Sequence, residues 1–263
     1  MILILGGTSD SIVIANKIKE INREVILSTA TEYGREIANN SFHGKIIFGK
    51  KDNKQLKDFC ISNNIDLIID ATHPYANLIS ENAIVVSKEL NIMYTRYERP
   101  LINKDYEKYI VCKSYEEASK LLNKMDGNIL LTTGSKDVEL ILEHIQDTSR
   151  VYIRVLPQSK VIEKLENLNI GLSQIIAMKG PFTKELNKAI IDQTDCKVIV
   201  TKESGSQGKT YEKLVAASEC NVKVVLIERP KINYPNTYYD IDELINEIKR
   251  SALDNESSSH NSY

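Results

Sequence analysis

The sequence lacks three features, each of which would indicate a particular class of protein. Its four cysteines, Cys60, Cys112, Cys196 and Cys220, stand singly, with no CxxC pair and no histidine beside them. This pattern argues against a zinc site or a disulfide framework, and it favours small buried thiols in a reducing compartment. The 34 basic residues are nearly balanced by 36 acidic ones, for a net charge of -2. Bulk charge therefore gives no reason to expect a nucleic acid or a membrane surface as partner.

Long apolar segments are also missing. No run approaches the roughly 18 apolar residues that a membrane-spanning helix needs. The opening "MILILGG" has no basic residue and leads directly into glycines, unlike a signal peptide. We therefore expect a soluble, cytoplasmic protein that has no membrane partner and no metal site of its own.

Short apolar runs alternate with amphipathic stretches along the 263 residues, of which 42% are hydrophobic. Alternating strand and helix patterns indicate an α/β protein with mainly parallel sheets covered by helices on both faces. Strands are predicted at 2–5, 24–28, 45–48, 67–70, 128–132, 151–155, 174–178, 197–201 and 223–227. Examples of predicted helices are 10–21, 76–89, 135–145, 183–193 and 208–219.

The segment "RYERPLINKDYEKY" at 96–109 is charged, aromatic and interrupted by Pro100, which is typical of a crossover between two sheets. The sequence thus predicts one domain over 1–100 and a second over 101–250. Residues 251–263, which show no periodicity, are expected to form a disordered tail.

The first strand is followed by a glycine turn and a helix, in "ILILGGTSDSIVIANKI". Ser9 and Asp10 are suitable N-caps, and the free N–H groups of a helix start after Gly6 and Gly7 suit a phosphate or pyrophosphate. The match to the dinucleotide fingerprint G-x-G-x-x-G is incomplete, because Ser11 stands at the third small position. An ordinary strand–helix turn is the alternative.

The second strand ends in "ILSTATEYGRE", at the point where nicotinamide-binding folds contact the adenine ribose. Ser28 and Thr29 replace the acid expected for NADH, and Arg35 follows, which slightly favours the 2'-phosphate of NADPH. Glu32 keeps NADH possible, and a solvated arginine is an equally plausible interpretation.

The fourth strand leads into "DATHPYA" at 70–76, which places an acid, a hydroxyl, an imidazole and a phenol within six positions. Loops at the carboxyl ends of parallel strands carry function more often than packing. No second cluster of histidine, cysteine or acid accompanies the stretch, so it favours a binding loop over a metal site.

Cationic residues follow several other predicted strands, next to turn glycines or prolines. Such groups would line one edge of a parallel sheet and suit a ligand with several carboxylates or phosphates. They occur in "TTGSK" (Gly134, Ser135 and Lys136), "RVLP" (Arg154), "MKGPF" (Lys179, Gly180 and Pro181) and "TKESGSQGK" (Lys202, Ser204, Gly205 and Lys209). The last of these resembles a phosphate-binding P-loop, but Glu203 stands where the template requires glycine.

Taken in order, several of these motifs resemble the precorrin-6A reductase family of cobalamin biosynthesis, including its cobalt-precorrin-6A branch. The resemblance runs to about residue 230 and rests on "LGGTSD" (5–10), "ATEYGR" (30–35), "DATHPYA" (70–76), "RYERP" (96–100), "TTGSK" (132–136), "RVLP" (154–157), "MKGPF" (178–182), "TKESG" (201–205) and "ERP" (228–230). It implies two Rossmann-like domains with the ligands in the cleft between them. It also implies hydride transfer from NADPH or NADH to one C=C bond of a tetrapyrrole that carries several carboxylates.

The resemblance also implies roles for individual residues. The cofactor would contact Gly6, Gly7, Thr8, Ser9 and Asp10 at the pyrophosphate, Ser28, Thr29, Ala30, Tyr33 and Arg35 at the adenosine end, and Asp70, Ala71 and Thr72 near the nicotinamide. The substrate would contact Arg96, Arg99, Gly134, Ser135, Lys136, Arg154, Lys179, Gly180, Pro181, Lys202, Ser204, Gly205 and Lys209. His73 and Tyr75 are candidate proton donors, although His73 is better suited to ordering the loop, and solvent is a further proton source.

Two other functions remain open on the sequence alone. One is a nucleotide-dependent phosphotransferase that uses the 202–210 loop. The other is a non-catalytic dinucleotide sensor, which would keep the first turn but would not need a second set of cations.

Overall fold

The computed structural model describes residues 1–101, 109–205 and 210–260, with side chains described as far as Ser251. Within these ranges the strands are β1 Ile2–Leu5, β2 Val25–Thr29, β3 Lys45–Phe48, β4 Leu67–Asp70, β5 Met93–Tyr97, β6 Tyr109–Cys112, β7 Asn128–Leu131, β8 Val151–Val155, β9 Ile175–Ala177, β10 Cys196–Lys202, β11 Lys223–Ile227 and β12 Thr237–Tyr238. The helices are α1 Ser9–Glu20, α2 Glu32–Asn39, α3 Asn53–Ser62, α4 Asn77–Leu90, α5 Tyr115–Leu122, α6 Val138–Leu142, α7 Ser159–Asn167, α8 Lys184–Thr194, α9 Thr210–Glu219 and α10 Ile241–His260.

Two six-stranded sheets form, and every pair of neighbouring strands in them is parallel. The strand orders are β12-β5-β4-β1-β2-β3 and β6-β11-β10-β7-β8-β9. The predicted α/β class and parallel sheets are confirmed, and each of the nine predicted strands is present. Alternation of strand and helix requires this arrangement, because each helix carries the chain back to the same end of its sheet.

Helices cover both faces of the first sheet. Along β1, Ile2 and Ile4 belong to a core cluster that includes Ile14 of α1 and Leu244 of α10. Leu3 and Leu5 point the other way, into a cluster that includes side chains of α3 and α4. Since both faces are buried, the strand sequences are continuously apolar instead of alternating.

The second sheet has its own core. Leu130 of β7 and Ile199 of β10 pack with Ile190 of α8 and Leu214 of α9. Helices α5 and α6 contact each other, and α5 also contacts β6 and β11. Parallel strands buried in this way place their carboxyl ends, and the loops that follow them, along one edge of the sheet.

The chain divides into two compact units, and its C-terminal segment does not follow the predicted division. Residues 1–99 and 230–263 form one compact unit, and residues 100–229 form the other. Segment 230–250 therefore belongs with the first unit, although it was predicted to be part of the second domain. Its strand β12 extends the first sheet, since the Arg96 N–H donates to the Asn236 carbonyl at 2.8 Å and the Glu98 N–H to the Tyr238 carbonyl at 2.9 Å.

The predicted tail also differs from the structure. Helix α10 continues through residue 260, where the sequence predicted disorder from residue 251. Leu244, Ile245 and Ile248 anchor this helix in the core cluster that contains α1. Burial of these side chains supplies the stabilisation that an isolated polar helix would lack.

Candidate functional site

The first candidate site lies where β1 and β4 end side by side. From β1 the chain builds the sheet outward through β2 and β3, then returns to β4 on the other side of β1. Ligands of open parallel sheets bind at such switch points, outside the carboxyl ends of the strands. The glycine turn at 6–7 and the loop at 70–76 are the two segments that leave the sheet here.

The two glycines of the first turn are required for different reasons. A Cβ at Gly6 would lie 2.7 Å from the Ser11 Oγ and 2.8 Å from the Leu27 Cδ1, so a side chain there would collide with the core. Gly7 has φ +106°, and a Cβ placed on it would meet no atom of the protein within 4 Å. The backbone at Gly7 is therefore strained for any other residue and open toward the outside.

Helix α1 begins one residue earlier than predicted, and its cap is different. Thr8, instead of Ser9 or Asp10, is the N-cap: its Oγ1 accepts from the Ser11 N–H at 3.2 Å and donates to the Ala71 carbonyl at 2.8 Å. Thr8 thus ties the glycine turn directly to the loop after β4. The positive end of the α1 dipole lies immediately after the open Gly7 backbone, which suits a phosphate group.

The inward half of the loop after β4 is a buried polar network. Asp70 has 0% exposure and accepts hydrogen bonds from the Thr72 Oγ1 at 2.7 Å, the Tyr94 hydroxyl at 2.9 Å and the Arg96 guanidinium at 2.7 Å. Burial, followed by the charge of Asp70, raises the pKa of Tyr94. Burial alone would lower the pKa of Arg96, but Asp70 and Glu98 outweigh it and the pKa is raised. The network joins Asp70 and Arg96 in a buried ion pair, and the Thr72 N–H bond to the Asp70 carboxylate holds the backbone at 70–72 in place.

The outward half of the same loop faces solvent. His73 is exposed and Tyr75 is half-buried, with ring centroids 5.6 Å apart and planes inclined by 42°. The Tyr75 N–H donates to the His73 Nδ1 at 3.4 Å. The imidazole therefore helps to shape the loop, and both rings lie on the outer half of the loop at the carboxyl edge.

Arg96 and Arg99 were predicted to bind substrate, and the structure gives both of them partners within the chain. Arg96 is 1% exposed and forms ion pairs with Asp70 at 2.7 Å and Glu98 at 2.8 Å. Arg99 is also buried and forms an ion pair with Asp10, and its guanidinium lies 3.4 Å from the Ser9 Oγ. The Asp10 carboxylate, predicted to contact the pyrophosphate, is thus directed at Arg99. These side chains organise the site from beneath and do not present their charges to a ligand.

The predicted adenosine end lies at the carboxyl end of β2. Ser28 and Thr29 are buried, while Ala30 is exposed and Tyr33 half-buried. Arg35, in the first turn of α2, forms an ion pair with Glu32 and stacks over the Phe48 ring with 4.6 Å between the guanidinium carbon and the ring centroid. Of these positions, Ala30, Tyr33 and Arg35 offer surface to a ligand.

The second unit has a switch point of its own, between β7 and β10. The Thr132 Oγ1 donates to the Val200 carbonyl at 2.9 Å and joins the two strand ends. Next to them, the Lys202 ammonium lies 2.5 Å from the Asp137 carboxylate, which also accepts from the Tyr115 hydroxyl at 2.9 Å. Burial would raise the pKa of Asp137, but the bonds from Lys202 and Tyr115 lower it.

Other predicted substrate residues vary in exposure. Gly134 has φ +80°, and a Cβ there would meet nothing within 4 Å, as at Gly7. Arg154 is buried: it donates to the Asn187 Oδ1 at 2.7 Å, stacks 3.9 Å from the centroid of the Phe182 ring, and its pKa is lowered by burial to about 10.

The remaining predicted substrate residues fall into three groups. The exposed or half-buried group comprises Ser135, Lys136, Lys179, Gly180 and Pro181. Two positions, Ser204 and Gly205, are buried, with the Ser204 Oγ 2.7 Å from the Thr210 Oγ1. Lys209 lies outside the described residues.

Sequence reasoning missed several members of both sites. Tyr94, Glu98 and Asp137 complete the buried networks, and Lys213 on α9 reaches the end of β10, where its Nζ donates to the Thr201 Oγ1 at 2.7 Å. Apolar periodicity could have placed Lys213 on the inner turn of a helix packed against β10. Asp137 carries no local signal, because its partners Tyr115 and Lys202 are 22 and 65 residues away in the sequence.

The described residues include neither a candidate metal site nor a membrane-spanning helix. Among the residues whose placement is described, no group of three or more histidine, cysteine or acidic side chains could hold a metal ion. In the same part of the chain, no helix combines the length and apolar character needed to cross a bilayer.

Comparisons with known proteins agree with one another. The family model "Precorrin-6x reductase CbiJ/CobK" matches residues 1–249. The cobalt-precorrin-6A reductase of Methanocaldococcus jannaschii is 42% identical over 248 residues, covering 94% of this chain and 97% of the relative. That of Priestia megaterium is 35% identical, covering 94% and 98% respectively. A solved structure titled "CobK precorrin-6A reductase" has the same fold, with a TM-score of 0.77 at 18% identity over 95% of this chain and 96% of its own. The chain therefore belongs to the precorrin-6x reductase family, whose members are oxidoreductases acting on CH–CH groups.

Proposed function

We propose that this protein uses NADPH or NADH to reduce one C=C bond of cobalt-precorrin-6A or precorrin-6A, giving the corresponding 6B compound. The observation that carries the proposal is the open turn at Gly7, located at the switch point of the first sheet and hydrogen-bonded through Thr8 to the loop at 70–76. The relatives of this chain that are named cobalt-precorrin-6A reductase support the choice of substrate.

The residues of the first turn fit a nicotinamide dinucleotide. Gly7 leaves room where any Cβ would project, and the N-terminus of α1 offers N–H donors and a positive dipole end to the pyrophosphate. Gly6, Thr8 and Ser9 complete this contact. Arg35 and Tyr33 lie where the adenosine would bind, and Arg35 is the group that would favour a 2'-phosphate. NADPH is thus slightly favoured, as the sequence suggested.

Binding at this turn would direct the nicotinamide toward the loop at 70–76. When bound, the cofactor supplies a hydride to one carbon of the double bond, and a proton must reach the neighbouring carbon. The protein's contribution is mainly positioning: Asp70 and Arg96 hold the loop, and Tyr75 offers a ring to a flat macrocycle. His73 and Tyr75 are the available proton donors, and we favour an ordering role for His73 because its Nδ1 already accepts the Tyr75 N–H.

The cations at the edge of the second sheet would bind the carboxylates of the tetrapyrrole. Lys136, Lys179 and Lys202 retain this predicted role, because they are exposed or half-buried at that edge. Arg96 and Arg99 are not proposed to bind substrate carboxylates, because each is buried and forms an ion pair with an acid of the chain, Asp70 and Asp10 respectively.

An anaerobic assay tests the proposal. Purified protein is mixed with precorrin-6A or cobalt-precorrin-6A and with NADPH or NADH, and the loss of nicotinamide absorbance is followed together with the spectrum of the macrocycle. We expect stoichiometric oxidation of the nicotinamide, with kcat/KM at least as high for NADPH as for NADH. Binding of the nicotinamide without turnover of either tetrapyrrole would indicate a sensor instead. In a parallel reaction with ATP in place of the nicotinamide, ATP consumption without any nicotinamide oxidation in the first assay would indicate a phosphotransferase.

A further inference from the structure

The start of helix α1 carries a buried ion pair to which the proposed reaction assigns no role. Asp10 is the second residue of the helix, and its carboxylate accepts a hydrogen bond from the guanidinium of Arg99. The two side chains are 6% and 8% exposed. The same guanidinium lies 3.4 Å from the Ser9 Oγ, so both charges lie beside the first turn of α1.

Asp10 does not serve as the cap of α1. Thr8 is the N-cap, and the Asp10 carboxylate is directed at Arg99. An acid in the first turn stabilises a helix through its dipole, but it lies at the same positive end that a pyrophosphate would need. Because two negative groups at one helix start repel each other, Asp10 alone would oppose binding of the cofactor at the Gly7 turn.

Burial strengthens this repulsion. Charges in a protein interior interact far more strongly than charges in water, and salt screens them much less. Asp10 and Arg99 both act on the buried Tyr97: burial, followed by the charge of Asp10, raises the pKa of the Tyr97 hydroxyl, and the charge of Arg99 opposes the shift. The guanidinium therefore compensates the carboxylate in the low-dielectric interior of the first unit.

We propose that Arg99 is a positioning residue for the nicotinamide cofactor, because its charge cancels that of Asp10 and leaves the start of α1 able to bind the pyrophosphate. The inference rests on the proposed function for the identity of the ligand. It gives Arg99 a role in cofactor affinity, in place of the predicted substrate contact, and this role requires no contact between Arg99 and the cofactor. Loss of the arginine should therefore matter only while the carboxylate of Asp10 remains.

Opposite effects of two single substitutions test the inference, with the Kd of NADPH measured by nicotinamide fluorescence. Arg99→Met leaves the carboxylate uncompensated and should weaken binding about tenfold or more. Asp10→Asn removes the carboxylate and leaves the guanidinium beside Ser9, so binding should be tighter than in the wild type. If the pair only stabilised the fold, breaking it from either side would weaken binding or leave it unchanged in both variants.

Two further variants separate charge compensation from direct contact. In the double variant Arg99→Met/Asp10→Asn neither charge is left, and the Kd should return to within about threefold of the wild-type value. A direct contact between Arg99 and the cofactor would instead leave the double variant as weak as Arg99→Met. Arg99→Lys keeps the positive charge but loses the fork of the guanidinium, so its Kd should lie between those of the wild type and Arg99→Met.

Arg229 provides the matched control. It precedes a proline, as Arg99 does, and it forms a buried ion pair with Glu203 in the second unit. Arg229→Met should therefore lose stability, as Arg99→Met does, while its Kd for NADPH stays within about threefold of the wild-type value. Circular dichroism measures the stability of every variant; if Arg99→Met does not fold, the affinity of Asp10→Asn decides the test.

The outcomes separate the two proposals. Wild-type affinity in Arg99→Met, weaker binding in Asp10→Asn, or a double variant as weak as Arg99→Met overturns the inference. Opposite shifts in the two single variants, with no reduction of either tetrapyrrole by the wild type, would support the inference and contradict the reductase assignment. If the wild type binds no nicotinamide, both are overturned.

Discussion

Replacement of Gly7 by alanine separates the backbone role of this residue from its proposed role in binding. The added Cβ meets no protein atom within 4 Å, so the folding cost is only that of an L-residue at φ +106°, about 1–2 kcal/mol. For a chain of this size that cost lowers the melting temperature by about 3–6 °C. Under the proposed function, the same Cβ would project into the space that the pyrophosphate occupies and would displace it from the helix N-terminus. Loss of one charge-assisted hydrogen bond costs about 1.5–3 kcal/mol, or about 10- to 150-fold in the Kd of the nicotinamide.

Gly127, in the second unit, provides the control: it has φ +84°, and a Cβ there would meet the Lys197 side chain. Gly127→Ala should therefore lose stability, as Gly7→Ala does, while binding NADPH within about threefold of wild type. Thermal unfolding by circular dichroism and binding by nicotinamide fluorescence measure the two effects. Equal Kd values for the two variants would refute the assignment of the Gly7 turn to the pyrophosphate, whatever their stabilities.

Two further substitutions test the loop after β4. Asp70→Asn breaks the buried pair with Arg96 and should cost about 3–5 kcal/mol of unfolding free energy, measured by guanidinium denaturation; a loss below about 1 kcal/mol would show that the network is dispensable for stability. His73→Gln keeps a hydrogen-bonding side chain, so turnover should remain within about tenfold, a barrier change near 1.4 kcal/mol. A far larger drop in kcat with unchanged KM would instead identify His73 as the proton donor.

Local patterns were sufficient to predict nine of the strands, although β5 and β12 were not among them. Runs such as 2–5 and 67–70 are too short for helices and too apolar for exposed strands, so each had to be a strand buried on both faces. Turn chemistry located the glycine turn equally well, since two adjacent glycines between a strand and a helix leave few alternatives. The cap was harder to predict: Thr8, Ser9 and Asp10 are all competent, and the choice of Thr8 depends on the Ala71 carbonyl, 63 residues away.

Other features could not be predicted from the sequence, because they depend on contacts between residues that are far apart in it. The segment after residue 230 has a two-residue strand, too short to carry a periodic signal, and its assignment to the first unit depends on backbone bonds to Arg96 and Glu98. Which cations are available to a ligand is equally a tertiary property. Arg96 and Lys179 both follow the pattern of a cation near a strand end, yet one is buried between two acids and the other is exposed.

The buried network in the loop at 70–76 contributes more to geometry than to net stability. A buried carboxylate with an arginine partner gains little over well-packed apolar residues, because desolvation offsets most of the attraction. Asp70 fixes the backbone conformation of residues 70–72. It thereby positions the Ala71 carbonyl, which accepts a hydrogen bond from the Thr8 hydroxyl. Through that one bond the start of α1 and the loop carrying His73 and Tyr75 are held in a single arrangement. Hydride transfer depends on how closely donor and acceptor carbons are aligned. An apolar core at this place could be equally stable, but it would leave the glycine turn and the loop at 70–76 unconnected. The need for alignment therefore explains why a polar network lies beneath the site.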